Sequence, residues 1–214
     1  MATLSGPHRL PLSGGAPDSL VVMLHGRGSN GNDLIGLADV FAPAFPNTVF
    51  HSPNAPLDLE GMPGYHQWYE LSNRESRGEG VRAVEPTVNA FIDELLTEYG
   101  LEASRCIQLG FSQGCITSMH TVPRRRTPLA GVVGFSGQMV TGDSLLNEVA
   151  SKTPFVLIHG AEDERLPASG SVEAGAKFEE AGIAASVHVL PGLGHSLDAR
   201  GFVLAGIFMQ QVLA

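Results

Sequence analysis

Short, β-rich and mainly apolar runs recur along the chain at 20–24, 48–50, 106–109, 131–135, 154–158 and 185–190. Several of them, such as Leu20-Val21-Val22-Met23-Leu24, carry no polar residue on either face, the pattern of a strand covered by helices on both sides. Between the runs the apolar spacing changes to three and four. Over 81–99, Val84, Val88, Phe91, Ile92, Leu95 and Leu96 share one face and Gly100 supplies a stop. Further helices are expected over 30–42, over 112–121 ahead of Pro123, over 169–181 ahead of Gly182, and over 196–213 on a face of Phe202, Leu204, Ile207, Phe208 and Val212. Strand alternating with helix predicts an α/β fold: a mostly parallel central sheet, helices on both faces and right-handed crossovers. In the 1–19 segment, His8-Arg9-Leu10-Pro11-Leu12 is expected to add an antiparallel edge strand.

One stretch breaks this rhythm. Residues 53–80 contain Pro53, Pro56, Gly61, Pro63, Gly64, Gly78 and Gly80 and show no period. Loops of this length in compact domains are usually functional or disordered. Met62, Tyr65, Trp68 and Tyr69 give this one apolar anchors, so it reads as an ordered loop near a site. No insertion is long enough for a cap domain, and 214 residues suit a single domain, 1–214.

Composition narrows the function. Hydrophobic residues make up 43% and charged residues 16% of the chain, too apolar for disorder, yet no run approaches the ~18 apolar residues of a membrane span. A formal charge of −9 repels phosphate backbones, which argues against nucleic acid as a partner. Arg124-Arg125-Arg126, after Pro123, reads as a solvated basic loop. Two cysteines, Cys106 and Cys115, exclude a secreted disulfide framework and a four-thiolate zinc site. The first residues lack a charged n-region and an apolar h-region, so a cytoplasmic location is expected.

The chemistry centres on Gly110-Phe111-Ser112-Gln113-Gly114, a G-x-S-x-G pattern after one apolar run and before a helix. A strand-to-helix elbow there would lift the Ser112 hydroxyl above the sheet; the rival reading is a tight glycine turn with a capping serine. Serine is a poor nucleophile without a neighbouring base. The base should lie beyond a later strand, which favours His195 in Pro191-Gly192-Leu193-Gly194-His195 over His120 on the nucleophile's own helix, His159 at a strand end, and His188 inside a strand. An orienting acid is expected after 154–158, where Glu162, Asp163 and Glu164 stand together; the shorter side chain leans toward Asp163. Backbone N–H groups of Gln113 and Arg27, the latter in Leu24-His25-Gly26-Arg27-Gly28, would hold an oxyanion. That same loop meets the spacing Gly26-x-Gly28-x-x-Gly31, but no acidic residue ends the second strand, so dinucleotide binding is disfavoured.

Taken together, these loops resemble the phospholipase/carboxylesterase family of α/β-hydrolases, which includes bacterial carboxylesterases and acyl-protein thioesterases. The matching segments are Leu24-His25-Gly26-Arg27-Gly28, Trp68-Tyr69-Glu70, Gly110-Phe111-Ser112-Gln113-Gly114, His159-Gly160-Ala161-Glu162-Asp163 with Leu166-Pro167, and Gly192-Leu193-Gly194-His195. The resemblance implies an α/β-hydrolase fold with Ser112 as nucleophile, Asp163 as orienting acid, His195 as base, and oxyanion donors at Arg27 and Gln113. It implies no cofactor and no metal. The expected activity is hydrolysis of short- to medium-chain carboxylic esters, with thioesters or lysophospholipids as alternatives on the same triad, and a non-catalytic binding protein as the rival class. Met62, Trp68 and Leu166 are candidate substrate contacts, the partner is a small-molecule ester, and relatives often form homodimers. Three residues depart from the family pattern: Arg27 stands where an apolar residue is common, Cys115 where a smaller one is usual, and Leu166 where Val is usual.

Overall fold

The computed structural model describes residues 4–71 and 74–214, apart from the side chains of Arg74 and Glu75. Residues 1–3 of the predicted edge segment and 72–73 of the predicted loop lie outside the described residues. The chain opens with a short strand, His8–Arg9 (β1), followed by Ser19–Leu24 (β2). Two short helices, Gly31–Ile35 (α1) and Leu37–Phe41 (α2), lead to Thr48–His51 (β3). Leu57–Leu59 (β4) and Met62–Gln67 (β5) form a hairpin ahead of the long helix Arg74–Tyr99 (α3). The rest alternates: Cys106–Phe111 (β6), Gln113–Arg124 (α4), Gly131–Phe135 (β7), Gly142–Glu148 (α5), Phe155–Gly160 (β8), Ser169–Glu180 (α6), Ala185–Leu190 (β9) and Ala199–Leu213 (α7).

Seven strands form one sheet in the order β1-β3-β2-β6-β7-β8-β9. All neighbours are parallel except β1, which runs antiparallel to β3 with His8 opposite His51. This is the mostly parallel sheet that the apolar runs predict, in an α/β-hydrolase fold. The runs of β2, β7 and β8 are apolar on both sides because every residue of those strands is buried, whereas β9, at the edge, is only partly buried. Leu20, Val22 and Leu24 of β2 join a core with α3, α4 and α6, whereas Val21 and Met23 join one with α1, α2 and α7. Strand order reverses at β2, with β3 on one side and β6 on the other. The loops leaving β2 and β6 therefore diverge and leave a crevice at the carboxyl ends of the strands, the usual ligand position in such sheets.

Several boundaries differ from expectation. The edge strand is confined to His8–Arg9 rather than 8–12. The helix expected over 30–42 is broken at Gly36 into α1 and α2, where glycine weakens helical continuity. Helix α4 continues through Pro123 to Arg124, which costs little because the helix ends one residue later. Helix α7 starts at Ala199 rather than 196, since the Asp198 carboxylate caps it by accepting from the Gly201 N–H. The short helix α5 was not expected.

The largest correction concerns 53–80. Far from being a loop throughout, it holds the β4–β5 hairpin and the first turns of α3. Gly80, read as loop punctuation, lies inside α3, and Tyr69 packs against it so closely that only glycine fits: a Cβ at position 80 would stand 2.6 Å from the Tyr69 Cβ. The arginine run is also corrected. The side chains of Arg124 and Arg125 are buried and pair with Glu148 and Asp93 respectively. The Arg124 pair and the bridge from His120 to Glu85 on α3 and Thr141 beside α5 moor helix α4, which follows Ser112 directly.

Candidate active site

Ser112 sits between β6 and α4 with φ 53° and ψ −116°, a region that a non-glycine residue occupies only under constraint. The constraint is visible on both flanks. The Ser112 N–H donates to the Phe135 carbonyl on neighbouring β7, and the Ser112 carbonyl accepts from the Ile116 N–H of α4. Gly110 and Gly114 admit this turn by close approach. A Cβ on Gly114 would lie 2.0 Å from the Leu24 carbonyl oxygen, and one on Gly110 2.6 Å from the Cys115 amide nitrogen. The buried Cys115 in turn fills the space beside Gly134 and Gly137.

The acid and base candidates converge on this elbow. His195 Nε2 stands 2.9 Å from Ser112 Oγ, and His195 Nδ1 stands 2.6 Å from Asp163 Oδ2. A carboxylate only accepts, so Nδ1 carries the ring proton and Nε2 is left with a lone pair facing the serine hydroxyl. The Phe111 ring packs against the imidazole at 5.0 Å between centroids. Asp163 Oδ1 accepts from the Arg165 and Leu166 N–H groups, each at 2.9 Å. Burial alone would raise the Asp163 pKa; the Leu166 N–H, the His195 ring and the Arg165 N–H outweigh it and hold the carboxyl below its ordinary range.

Three adjacent acids that sequence left close together have different environments. Asp163 is buried at the imidazole. Glu162 Oε1 accepts from the Gly192 N–H, and the Glu162 N–H donates to the Leu193 carbonyl, so this residue ties down the loop that carries His195. Glu164 is exposed. His159 proves to be a further neighbour of Asp163. It is fully buried, and its Nε2 lies 2.8 Å from the Leu166 carbonyl and 3.1 Å from Asp163 Oδ2, so that nitrogen donates toward both. The H-G-x-x-D spacing held the signal: His159, next to last in β8, stands four residues ahead of the acid.

The loop after β2 faces the same elbow. A Cβ on Gly26 would stand 3.4 Å from the Ser112 Cβ, so the Gly26-Arg27 backbone runs alongside the serine. The Gly28 N–H donates to the His66 carbonyl, and the His66 N–H donates to Ser29, which stitches this loop to β5. The Arg27 side chain is exposed, with Nε donating to Gln67 Oε1 at 3.0 Å. Gln113 contributes more than a backbone N–H. Its side chain accepts from the Trp68 N–H and donates to the Tyr69 carbonyl, joining the start of α4 to the segment after β5. Among the candidate contacts, Met62 is exposed on β5 and Leu166 is half-buried against the core. Trp68 is buried instead of substrate-facing: it is 1% exposed, and its indole N–H donates to the His25 carbonyl.

The close approach at Gly114 yields a direct test. Gly114→Ala is expected to lower stability by about 1–3 kcal/mol through overpacking, and to push the loop after β2 away from Ser112. Urea denaturation would measure the first effect. Ester turnover should fall by at least about tenfold, since small displacements of positioned groups are costly.

Chemically, the arrangement is a hydroxyl poised to lose its proton to an imidazole oriented by a carboxylate, at the crevice of an α/β-hydrolase sheet. Comparison with known proteins agrees with that class. The model of the Phospholipase/Carboxylesterase family matches residues 12–213, and the chain belongs to this family of hydrolases. It is 31% identical to acyl-protein thioesterase 1 of Aspergillus fumigatus over 215 residues, covering 90% of this chain and 87% of that one. It is 27% identical to esterase YpfH of Escherichia coli, covering 87% and 79% of the two chains. Among solved structures, esterase PE8 superposes with a TM-score of 0.94 at 38% identity, covering 99% of this chain and 100% of that one.

Proposed function

We propose that the protein is a serine carboxylesterase acting on short- to medium-chain carboxylic esters. The observation that carries this reading is the line of contacts from Ser112 Oγ through His195 to Asp163 Oδ2, at 2.9 and 2.6 Å. Ser112 Oγ attacks the ester carbonyl carbon while its proton passes to His195 Nε2, and the carbonyl oxygen becomes an oxyanion held by the Arg27 and Gln113 N–H groups. The bond to the alcohol then breaks, and His195 returns the proton to the leaving oxygen. Water, deprotonated by His195, attacks the acyl-enzyme in the same way and releases the carboxylic acid.

Short to medium acyl chains suit a site without a cap, where Ser112 and His195 both reach solvent. Exposed Leu57, Met62 and Tyr65 on the neighbouring hairpin offer apolar contact for such chains. Similarity to an acyl-protein thioesterase favours thioester hydrolysis as the second reading. Both cysteines are unpaired and buried, which suits a reducing compartment such as the cytoplasm. Among the described residues, no helix is long and apolar enough to cross a membrane.

A series of nitrophenyl esters of increasing acyl length, run beside one acyl-thioester, tests this reading. The expected result is a maximum of kcat/KM among the shorter esters. A preference for the thioester at matched acyl length would transfer the assignment to the second reading.

A further inference from the structure

Behind the loop after β2 lies a histidine that the reaction scheme leaves unused. His25 is 1% exposed and cannot reach substrate. Its Nε2 accepts a hydrogen bond from the Ala55 N–H at 3.0 Å, so that nitrogen carries no proton. In the neutral ring the single proton therefore sits on Nδ1, 2.7 Å from the Gly26 carbonyl oxygen, and is donated to it. Burial lowers the His25 pKa and outweighs the raising effect of the Gly26 carbonyl, in the same direction as the neutral form that the two hydrogen bonds require. The residue's own backbone is held as well, because its carbonyl accepts from the Trp68 indole N–H at 2.8 Å.

The consequence follows from the geometry of one peptide unit. The Gly26 carbonyl and the Arg27 N–H belong to the same planar group, and in a trans peptide they point in opposite directions. The described chain has no cis peptide bond. Fixing the Gly26 oxygen toward the buried His25 ring turns the Arg27 N–H the other way, out of the core and toward the crevice beside Ser112. Without that anchor, the glycine at 26 lets the peptide rotate at little steric cost.

We propose that His25 is a positioning residue, whose Nδ1–H holds the Gly26-Arg27 peptide so that the Arg27 N–H faces the oxyanion. The inference rests on the oxyanion reading above and deepens it. His25 touches neither substrate nor the reacting atoms. It acts through an amide that must already be aimed when charge develops on the carbonyl oxygen, since a donor that has to reorient at that moment loses most of its effect.

Two substitutions separate the ring's two hydrogen bonds. The side-chain amide of Asn places its nitrogen close to where Nδ1 lies, so His25→Asn keeps a donor for Gly26. His25→Gln reaches the Nε2 position and keeps an acceptor for Ala55, but supplies no donor to Gly26. On a nitrophenyl ester, His25→Gln is expected to lower kcat by about 100-fold or more with little change in KM, the cost of one oxyanion donor. His25→Asn should stay within about tenfold of the wild type, since only the Ala55 N–H loses its partner. Inhibition by a trifluoromethyl ketone, whose adduct with Ser112 leaves an oxyanion in the same place, should weaken in parallel with kcat, a readout that a merely structural role would not move. Wild-type kcat in His25→Gln, equal losses in both variants, or an unmoved inhibitor constant would each overturn the proposal.

Arg27→Pro, which removes the N–H itself, separates this proposal from the reading beneath it. If that folded variant keeps full activity, the oxyanion assignment is wrong. If it loses activity and His25→Gln does not, the positioning role alone is wrong. Should the His25 variants not fold, the wild-type enzyme still decides. Nitrogen-15 NMR of the assigned His25 imidazole must show the proton on Nδ1 and an unprotonated Nε2, as the hydrogen bonds to Gly26 and from Ala55 require. A His25 ring protonated on Nε2 overturns the proposal.

Discussion

Ser112→Ala is expected to reduce kcat by on the order of 10⁶-fold, the loss that follows removal of the nucleophile from a working triad. A fluorophosphonate probe should label the wild type covalently and leave the variant unmarked; equal labelling of both would overturn the nucleophile assignment. Stability should barely follow. Among the described residues the hydroxyl's partner is His195 Nε2, which is partly exposed and can turn to water, so the change should stay within about 1 kcal/mol. Alanine inherits the same positive φ of 53° and gains nothing from it. Ser112→Gly does gain. It relieves strain of about 1–3 kcal/mol against a glycine entropy cost of about 0.5–1 kcal/mol. Thermal denaturation should therefore show an inactive protein more stable than the wild type, the signature of strain kept for the sake of the nucleophile.

Asp163→Asn is expected to lower kcat by about 10⁴-fold while leaving the fold in place. The surroundings of the carboxylate determine how an amide would sit. The Arg165 and Leu166 N–H groups both donate to Oδ1, so the amide oxygen must take that position and the NH₂ must replace Oδ2. The NH₂ then faces His195 Nδ1, which can keep company with it only as an acceptor. The ring proton moves to Nε2, and the imidazole points a donor at the Ser112 hydroxyl instead of a lone pair. The same NH₂ also meets the Nε2–H of buried His159, two donors facing each other, at a cost of about 1–3 kcal/mol.

The acid limb of the stability curve offers a second measurement on the same variant. Asp163 has its folded pKa below the ordinary carboxyl range, so its contribution is fully present above that range and is lost as pH falls through the lower, folded value. Asp163→Asn has no such group, and its stability should depend less on pH below about 4 than that of the wild type.

Much of the candidate site was legible because a serine nucleophile, if it is to work, needs few residue types in a fixed topological order. Gly110 and Gly114 around Ser112 are demanded by backbone atoms within van der Waals reach, and that demand is written in composition. His195 could be picked out as the candidate base because it follows the last strand, from where a side chain can reach back across the sheet. Other parts left little local trace. Gly80 read as loop, since nothing nearby in sequence shows that Tyr69 will press against a helix there. Arg124 and Arg125 read as solvated, since their partners Glu148 and Asp93 are far away in the chain. Trp68 read as a substrate contact because an aromatic residue in an irregular segment gives no hint that it will be buried.

From the order of residues alone come the alternation of apolar runs and helical segments, the mostly parallel sheet that buries both faces of its central strands, and the identity of the serine, histidine and acidic candidates. These are local or periodic properties, carried by side-chain period and by backbone needs a few residues apart. Only tertiary structure decided which of three neighbouring acids faces the imidazole, which nitrogen of His195 and of His25 bears the proton, and that the Gln113 side chain clamps the segment after β5. Each of those depends on the direction of one hydrogen bond between groups distant in the chain, and a direction in space exists only once the chain has folded.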